Sequence, residues 1–282
     1  MENRFKYLAI SILIGFVFIA CDKFEFRGFF ISYESANERF HQSMSWNSEH
    51  PYKKIIVPDD NYTLLVMGDS HVGGTNNLDV FVNEAQSANA AAIVMIGDLT
   101  TGHADDFIRL QQHLPDQDTM YSFPILGNHD LYFDGWTQFR TLFGTSTYLF
   151  TVNTPQATDL YLCLDSGSGT FGSDQLDWLN YILETERSDY RRCVLFTHNN
   201  FFRFEFSPTA NPLVEELYVL LELTLVHDID MVVTGHDNDQ SMDVLGNTTY
   251  ITTGALKDNF SDAGYLKLIV DQGEIYYEFV NL

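Results

Sequence analysis

Acidic, amide and imidazole side chains recur in this sequence directly after short apolar runs. The first example is YTLLVMGDSHVGG (residues 62–74), where a strand-like run stops at Gly-Asp and Asp69 precedes His71 by two residues. Carboxylate and imidazole ligands together suit divalent transition metals such as Zn²⁺, Mn²⁺ or Fe, whereas Ca²⁺ and Mg²⁺ prefer oxygen ligands. We therefore interpret the pair as two ligands of one metal ion. The histidines in the set argue against a structural calcium protein.

Four later apolar runs end in the same kinds of residue. VMIGDLT, PILGNHD, VLFTH and VVTGH supply, in chain order, Asp98, then Asn128 with His129 and Asp130, then His198, and then His236. Each motif alone is also typical of an ordinary turn, because Gly, Asp and Asn are common turn residues. Five such ends in one chain favour a shared site instead. A carboxylate that bridges two ions about 3.5–4 Å apart would suit a phosphoryl displacement, because the ions lower the pKa of bound water.

Such a site needs a framework that brings the ends of separate strands together. From Ile55 onward the sequence predicts strands that alternate with helices, which is an α/β pattern. The predicted strands are 62–67, 92–96, 122–126, 159–165, 191–197, 230–234 and 248–253, and the predicted helices lie near 77–90, 104–114, 134–143, 174–186 and 212–226. Sites in α/β sheets assemble at the carboxyl ends of the strands, where a glycine lets the chain turn sharply. The C-terminal segment predicts a hairpin that turns at Gln272-Gly273.

The ordered series G-D-x-H, G-D, G-N-H-D, H and G-H-x-[H/N] resembles the calcineurin-like metallophosphoesterase family. The segments FRTLFGTSTYLF, LDS and QLDWLNYIL also look like that family, and the resemblance covers roughly residues 60–282. It implies an α/β fold in which two mixed sheets form a sandwich flanked by helices, a four-layer α/β/β/α arrangement. It also implies a site for two divalent ions (Mn, Zn or Fe) at the strand ends.

The resemblance implies a role for each motif residue. Asp69 and His71 would bind the first ion, and Asp98 would bridge both ions. The remaining ligands would be Asn128, His198 and His236 on the second ion. His129 would not be a ligand; it would stabilise the phosphate or protonate the leaving alcohol, oriented by Asp130.

Two positions depart from the family pattern. The last motif usually reads G-H-x-H with its final histidine on the first metal, but here GHDN supplies Asn238. An amide oxygen is a weaker donor to zinc-like metals than imidazole, so we expect a looser first site, or one held partly by Asp237 or Asp239. The segment THNNFF replaces the usual His-Pro, which alters the loop near the substrate and places Asn199 and Asn200 there.

The composition limits the partners. The chain of 282 residues has 15 basic and 39 acidic side chains and a formal net charge of −24. Removal of residues 1–20 takes away Glu2, Arg4 and Lys6, which leaves 13 basic and 38 acidic side chains and a net charge of −25. Such a surface repels nucleic-acid backbones at long range, so no nucleic-acid binding is expected. The sequence does not indicate an oligomeric state. Cys163 and Cys193 lie in apolar runs and are interpreted as buried hydrophobic residues rather than a disulfide or ligands.

The N-terminus indicates export. A basic start and the mostly apolar run 8–20 predict a signal peptide over residues 1–20. Phe-Ile-Ala-Cys resembles a loose bacterial lipobox, which makes Cys21 the lipidation site; a retained anchor and plain secretion are the alternatives. The predicted organisation is a lipidated Cys21 with a tether over 21–54 that partly packs on the domain, and a metallophosphoesterase domain over 55–282. The protein would then lie in the cell envelope, lipid-anchored to a membrane at its periplasmic or surface face.

The function these features favour is hydrolysis of a phosphomonoester or phosphodiester by a metal-bound hydroxide at a dinuclear site. Pyrophosphate-linked lipids are also compatible with such a site. The alternative is a metal-weakened, non-catalytic scaffold or binding protein of the same fold, because function resides in the site rather than in the fold.

Overall fold

The computed structural model describes residues 33–202 and 213–282. Its helices are α1 (Ala36–Glu49), α2 (Asn76–Ser87), α3 (Ala104–His113), α4 (Gly135–Phe143), α5 (Ser173–Glu186) and α6 (Val214–Val226), with short 3-10 turns at His129–Asp134 and Arg187–Asp189. The strands are β1 (Lys54–Ile56), β2 (Tyr62–Met67), β3 (Ala92–Ile96), β4 (Tyr121–Ile125), β5 (Tyr148–Asn153), β6 (Thr158–Cys163), β7 (Cys193–Phe196), β8 (Met231–Thr234), β9 (Ser241–Leu245), β10 (Thr248–Thr252), β11 (Gly264–Asp271) and β12 (Glu274–Asn281).

The strands form two mixed sheets. One has seven strands in the order β1-β5-β6-β7-β8-β10-β9, and the other has five in the order β12-β11-β2-β3-β4. Strands β2, β3 and β4 pair in parallel, as do β6, β7, β8 and β10. The antiparallel pairs are β5 with β6, β9 with β10, and β11 with both β2 and β12. The parallel strands of each sheet therefore end at one edge, where their loops can meet.

The sheets pack face to face and helices cover both outer faces. Side chains of both sheets form the central core, including Val66, Val94, Phe123, Phe150 and Val194. The rings of Phe123 and Phe150 stack 3.8 Å apart and join β4 to β5 across this core. The outer face of the five-stranded sheet packs under α2, α3 and α4, and that of the seven-stranded sheet packs under α5 and α6. The four-layer α/β/β/α prediction is confirmed.

Burial on both faces explains why the sequence pattern of the central strands is apolar throughout. Residues of β3 and β7 are all buried, so these strands read as continuous apolar runs rather than as alternating ones. The C-terminal hairpin is also confirmed: β11 and β12 pair antiparallel, and Gln272 (φ 49°) and Gly273 (φ 84°) form its turn in the left-handed region.

Three strands were not predicted, and their surroundings explain the omission. All five residues of β9 are exposed, so its sequence carries no burial pattern, and it forms only through pairing with β10. The three-residue β1 is an edge strand held by β5. β5 begins within the segment FRTLFGTSTYLF, which was noted only for its family resemblance.

The segment predicted as a tether over 21–54 contains a well-formed helix. Ser35 caps α1 through a reciprocal bond with Glu38, and Arg39, Phe40 and Ser43 are buried against the domain. Helix α1 packs on α5, so the packed part of this segment is more extensive than the sequence indicated.

The predicted signal peptide and Cys21 lie outside the described residues. Within residues 33–202 and 213–282, the helices are all too short or too polar to cross a membrane. Cys163 and Cys193 are buried free thiols, as predicted.

Candidate metal centre

The loops that carry the predicted site residues are joined to one another by backbone hydrogen bonds. After β2, the N–H of Asp69 bonds to the carbonyl of Gly97 (3.0 Å), and the N–H of His71 bonds to the carbonyl of Asp98 (2.9 Å). On the other sheet, the N–H of Gly235 bonds to the carbonyl of His198 (2.9 Å). These bonds fix neighbouring strand ends relative to each other, so the side chains converge at the edge shared by both sheets.

The backbone at these strand ends is unusual. Asp69 (φ 52°), His71 (φ 40°), Asp98 (φ 50°), His236 (φ 75°) and Asn238 (φ 63°) all adopt the left-handed conformation. Asp, Asn and His tolerate this region better than most residues, but each instance costs free energy that surrounding contacts must supply. Left-handed residues at successive strand ends turn the polar side chains into the crevice.

Two glycines in these loops leave no room for a side chain. Gly97 has φ +90°, and a Cβ there would lie 2.6 Å from Nδ1 of His198. A Cβ on Gly127 would collide with the backbone and carboxylate of Asp98. The sequence-based explanation, a sharp turn, therefore holds for Gly97, whereas Gly127 is needed because two loops approach closely.

The structure brings together the residues predicted to hold the second ion. His198 Nε2 lies 3.4 Å from Asp98 Oδ1, 3.2 Å from Asn128 Oδ1 and 3.0 Å from His236 Nδ1. Asp98, His198 and His236 form a buried group whose candidate ligand atoms all lie within 4.8 Å of one another. Nδ1 of His198 is 2.9 Å from the carbonyl of Ile96, which fixes the ring so that Nε2 faces the group.

A second group lies beside the first and shares Asp98 with it. His71 Nε2 and His129 Nε2 lie 3.9 Å and 3.8 Å from Asp98 Oδ2, and the three residues form a candidate metal-ligand group. The rings of His71 and His129 contact edge to face at 4.5 Å. His129 was predicted as a non-ligand; the geometry places it within ligand distance of this group, and its role stays a prediction.

Asp69 connects the two sheets at the centre of the site. Its Oδ2 accepts the N–H of His236 (2.8 Å), and its Oδ1 is buried with no hydrogen-bond partner among the described residues. A buried carboxylate oxygen without a donor is costly unless a cation compensates it. Asp69 therefore fits the predicted ligand role, although it is absent from both three-residue groups.

The electrostatics of the site fit divalent cations. Burial raises the pKa of Asp69 to about 7 and lowers that of His71 to about 4. Burial also acts to lower the pKa of His198, but the charges of Asp98 and Asp69 and the hydrogen bond with Asp98 together outweigh it and raise that pKa to about 10. Burial acts to raise the pKa of Asp98, but the charges of His198, His129 and His71 and the hydrogen bond with His198 together hold it well below its usual value. A divalent ion would keep the carboxylates ionised and the imidazoles neutral, which are the forms that bind metals.

Asp130 has a structural task that the sequence did not predict. Its carboxylate accepts the N–H groups of Leu99 (3.1 Å), Thr100 (2.8 Å) and Gly127 (2.9 Å), and the hydroxyl of Thr100 (2.9 Å). Burial nevertheless raises its pKa to about 6. Asp130 thereby fixes the loop after β3 to the loop after β4, and its predicted orientation of His129 stays a prediction.

A supporting group that sequence reasoning missed follows β6. The hydroxyl of Ser166 accepts bonds from the N–H groups of His198 (3.2 Å) and Asn199 (3.0 Å) and from the hydroxyl of Thr197 (2.9 Å). Ser166 is fully buried. The segment LDS contains it and was noted for its resemblance to the family, but only the structure shows that it holds the His198 loop.

The two departures from the family pattern lie at the edge of the site. Asn238 is partly exposed, and its carbonyl accepts the N–H of Ala255 (3.3 Å). Asn200 Nδ2 donates to Asp237 Oδ2 (2.8 Å), which joins the loop after β7 to the loop after β8. Asn199 and Asn200 thus each bond to a neighbouring strand-end loop, Asn199 through its backbone N–H to Ser166 and Asn200 through its side chain to Asp237.

Comparison with known proteins supports the family resemblance that the sequence motifs indicated. No curated protein matches the chain. Structures with a similar fold include a dimetal phosphatase from Danio rerio (13% identity, 78% of this chain and 98% of that chain, TM-score 0.59) and a purple acid phosphatase from yellow lupin (12%, 80% and 52%, 0.60). A third is GAP50, described as the anchor in the inner membrane complex of Plasmodium (15%, 79% and 85%, 0.60). The model of one family, described as calcineurin-like phosphoesterase, matches residues 62–239. The chain therefore belongs to the calcineurin-like phosphoesterase family.

Proposed function

We propose that this chain, by its family a hydrolase of phosphoric ester bonds, uses two divalent ions to cleave a phosphomonoester or phosphodiester. The observation that carries the proposal is that two candidate ligand groups share the carboxylate of Asp98. A shared carboxylate between two ions is the arrangement that suits in-line phosphoryl displacement.

The residues present can hold both ions. His71 with Asp69 would serve one ion, and Asn128 with the histidines His198 and His236 would serve the other, with Asp98 between them. When bound, the ions would polarise the phosphoryl oxygens and lower the pKa of water at the site. Mn, Zn or Fe fits the mixed oxygen and nitrogen donors.

His129 lies at the rim of the candidate site. Its side chain is 28% exposed, whereas that of Asp98 is 3% exposed. The backbone N–H of His129 donates to Asp98 Oδ1 (2.8 Å), so the residue that carries the imidazole is fixed to the shared carboxylate. We propose that Nε2 of His129 stabilises the phosphoryl oxygens or gives its proton to the leaving alcohol.

The test combines metal analysis with a substrate panel. The purified protein, with Mn²⁺ or Zn²⁺ added, is assayed on phosphomonoesters, phosphodiesters and pyrophosphate-linked substrates, and its metal content is measured in parallel. Two ions per chain and hydrolysis of at least one ester class are expected. Asp98→Asn should weaken binding of both ions. A protein that binds no metal and cleaves none of these substrates would contradict the proposal.

We also propose that the enzyme is exported and anchored to the cell envelope through lipid on Cys21. The support is the basic and apolar character of residues 1–20 and the Phe-Ile-Ala-Cys sequence that ends them. Acyl chains on one cysteine hold a protein at a membrane surface without a spanning helix.

A binding scaffold of the same fold is the second candidate. Asn238 favours it, because this asparagine replaces a histidine usual in the family and weakens the ligand set. The similar Plasmodium structure is described as an anchor, although likeness at 15% identity concerns the fold. The presence of Asp98, His129 and His198 in one site favours the enzyme.

A further inference from the structure

Phe133 has a strained backbone and an exposed ring close to the metal centre. Its φ is 54°, and the residue is 41% exposed. The next residue, Asp134, is also left-handed (φ 62°). A bulky residue at positive φ is a genuine outlier, and such strain clusters at sites where a side chain must be presented in a particular place.

The ring of Phe133 forms a stacked pair with the imidazole of His103. The ring centroids lie 4.1 Å apart and the ring planes differ by 14°. His103 is exposed and belongs to the loop that follows Asp98, whereas Phe133 belongs to the loop that follows Asn128. Both rings therefore come from loops that carry metal-centre residues. We call the pair His103–Phe133 the aromatic platform.

The two loops that carry the aromatic platform contact each other beside the metal centre. A Cβ on Gly102 (φ +85°) would lie 2.6 Å from the carbonyl of Tyr132 and 2.8 Å from that of His129, so the two loops are in close contact. A series of ring contacts leads outward from the metal centre: His129 contacts Tyr132 at 4.7 Å, and Tyr132 contacts Phe133 at 6.4 Å. The platform thus lies two ring contacts from the imidazole that we place on the leaving group.

We propose that the aromatic platform is a subsite that stacks a planar ring in the alcohol part of the ester, so that the substrates are nucleoside or aryl phosphate esters. This proposal rests on the proposed function. Exposed, nearly parallel rings bind bases and aryl groups by stacking, which tolerates many ring types. The net charge of −24 disfavours a polynucleotide and favours a small ester with few phosphates.

The test uses two substrates that differ only in the ring. Adenosine 5′-phosphate and ribose 5-phosphate share the same leaving hydroxyl, and each is used as the free monoester and as its methyl diester. Phe133→Leu should lower kcat/KM for the adenosine compound about fivefold or more and leave the ribose compound within twofold. The loss should appear in KM rather than in kcat. Phe133→Trp keeps an aromatic ring and should keep the preference for the adenosine compound. His103→Ala, as a single change, should lower that preference.

Controls separate stacking from damage to the site. Tyr181→Leu removes a 60% exposed ring on α5 and should not change either substrate. Metal content should be the same in all variants. Equal losses on both substrates, or no loss on either, would overturn the proposal.

Calorimetric titration with adenosine and ribose, the alcohols of the two esters, measures the same preference without turnover. One outcome is that the protein hydrolyses nothing but binds adenosine more tightly than ribose, and that Phe133→Leu abolishes this preference. That outcome would support the aromatic platform and refute the proposed function. Hydrolysis with no preference for the ring in either assay would refute the platform alone.

Discussion

Arg39 on α1 lies outside the family motifs, and its substitution tests whether such a residue stabilises the candidate metal centre. Its side chain is fully buried, with Nε 2.8 Å from Asp165 Oδ2 and Nη2 3.1 Å from Asp165 Oδ1. Nη2 also donates to Ser168 Oγ (3.0 Å), and Nη1 donates to the carbonyl of Glu34 (2.9 Å). Asp165 immediately precedes Ser166, whose hydroxyl holds the loop of the predicted ligand His198.

Arg39→Met removes the guanidinium but keeps most of the apolar volume. Asp165 is then left as a buried charge without its partner, which costs about 3–5 kcal/mol. For a domain of this size the loss corresponds to a fall in Tm of about 6–20 °C. Thermal and urea unfolding measure it. The ion held by His198 should also bind more weakly, as seen by metal titration.

Two further variants make the result interpretable. Lys267→Met removes one partner of the part-exposed pair Lys267–Glu84 (3.3 Å) and should cost about 1 kcal/mol or less. The double variant Arg39→Met with Asp165→Asn removes the stranded charge and should recover part of the stability. A loss below about 1 kcal/mol in Arg39→Met would refute the reasoning. So would a loss in the double variant that equals the sum of the losses in Arg39→Met and Asp165→Asn.

The same argument applies to the predicted domain boundary. A truncated protein that begins at residue 55 retains the segment matched by the family, 62–239, but lacks Arg39. It should therefore unfold at a temperature as low as that of Arg39→Met, or lower. Equal stability of the truncated and full chains would show that α1 is dispensable.

Four other changes test separate roles. Ser166→Ala removes a buried acceptor, so the free energy of unfolding should fall by about 2–3 kcal/mol in denaturant titrations, with weaker binding of the ion at His198. His129→Ala should lower kcat about 100-fold with both ions retained; loss of one ion would make His129 a ligand. Asn238→His should lower the metal concentration needed for half-maximal activity, and two tightly bound ions with unchanged metal dependence would exclude a weakened first site. Cys21→Ser should abolish lipid labelling and move the protein from the membrane to the soluble fraction; unchanged labelling and fractionation would exclude the lipobox hypothesis.

Local signals explain which parts of this fold the sequence could predict. Strands β2 and β3 are apolar on both faces and stop at Gly-Asp, so both the strand and its functional end appear in a few consecutive residues. Asp69 and Asp98, which follow the ends of β2 and β3, could therefore be predicted as candidate site residues. The hairpin at Gln272-Gly273 was equally local, because two residues determine the turn.

Long-range contacts explain what could not be predicted. Arg39 and Asp165 are 126 residues apart, and a charged residue in a polar segment is ordinarily exposed. The carboxylate of Asp165 supplies the opposite charge that the buried guanidinium of Arg39 needs. The left-handed conformation of Phe133 likewise has no signal in its own sequence, and the contact of its loop with Gly102, through Tyr132 and His129, joins residues far apart in the chain.

The residues that support the metal centre divide according to the sheet that carries them. Asp130 holds the loops after β3 and β4, so it positions Asp98, which both ligand groups share. Ser166 acts on the loop after β7 and reaches only the group that contains His198. A defect at Asp130 should therefore disturb both ions together, whereas a defect at Ser166 should disturb one. The two-sheet construction thus gives the shared carboxylate of Asp98 a support that does not depend on α1, and it leaves the His198 side of the candidate site dependent on the N-terminal segment.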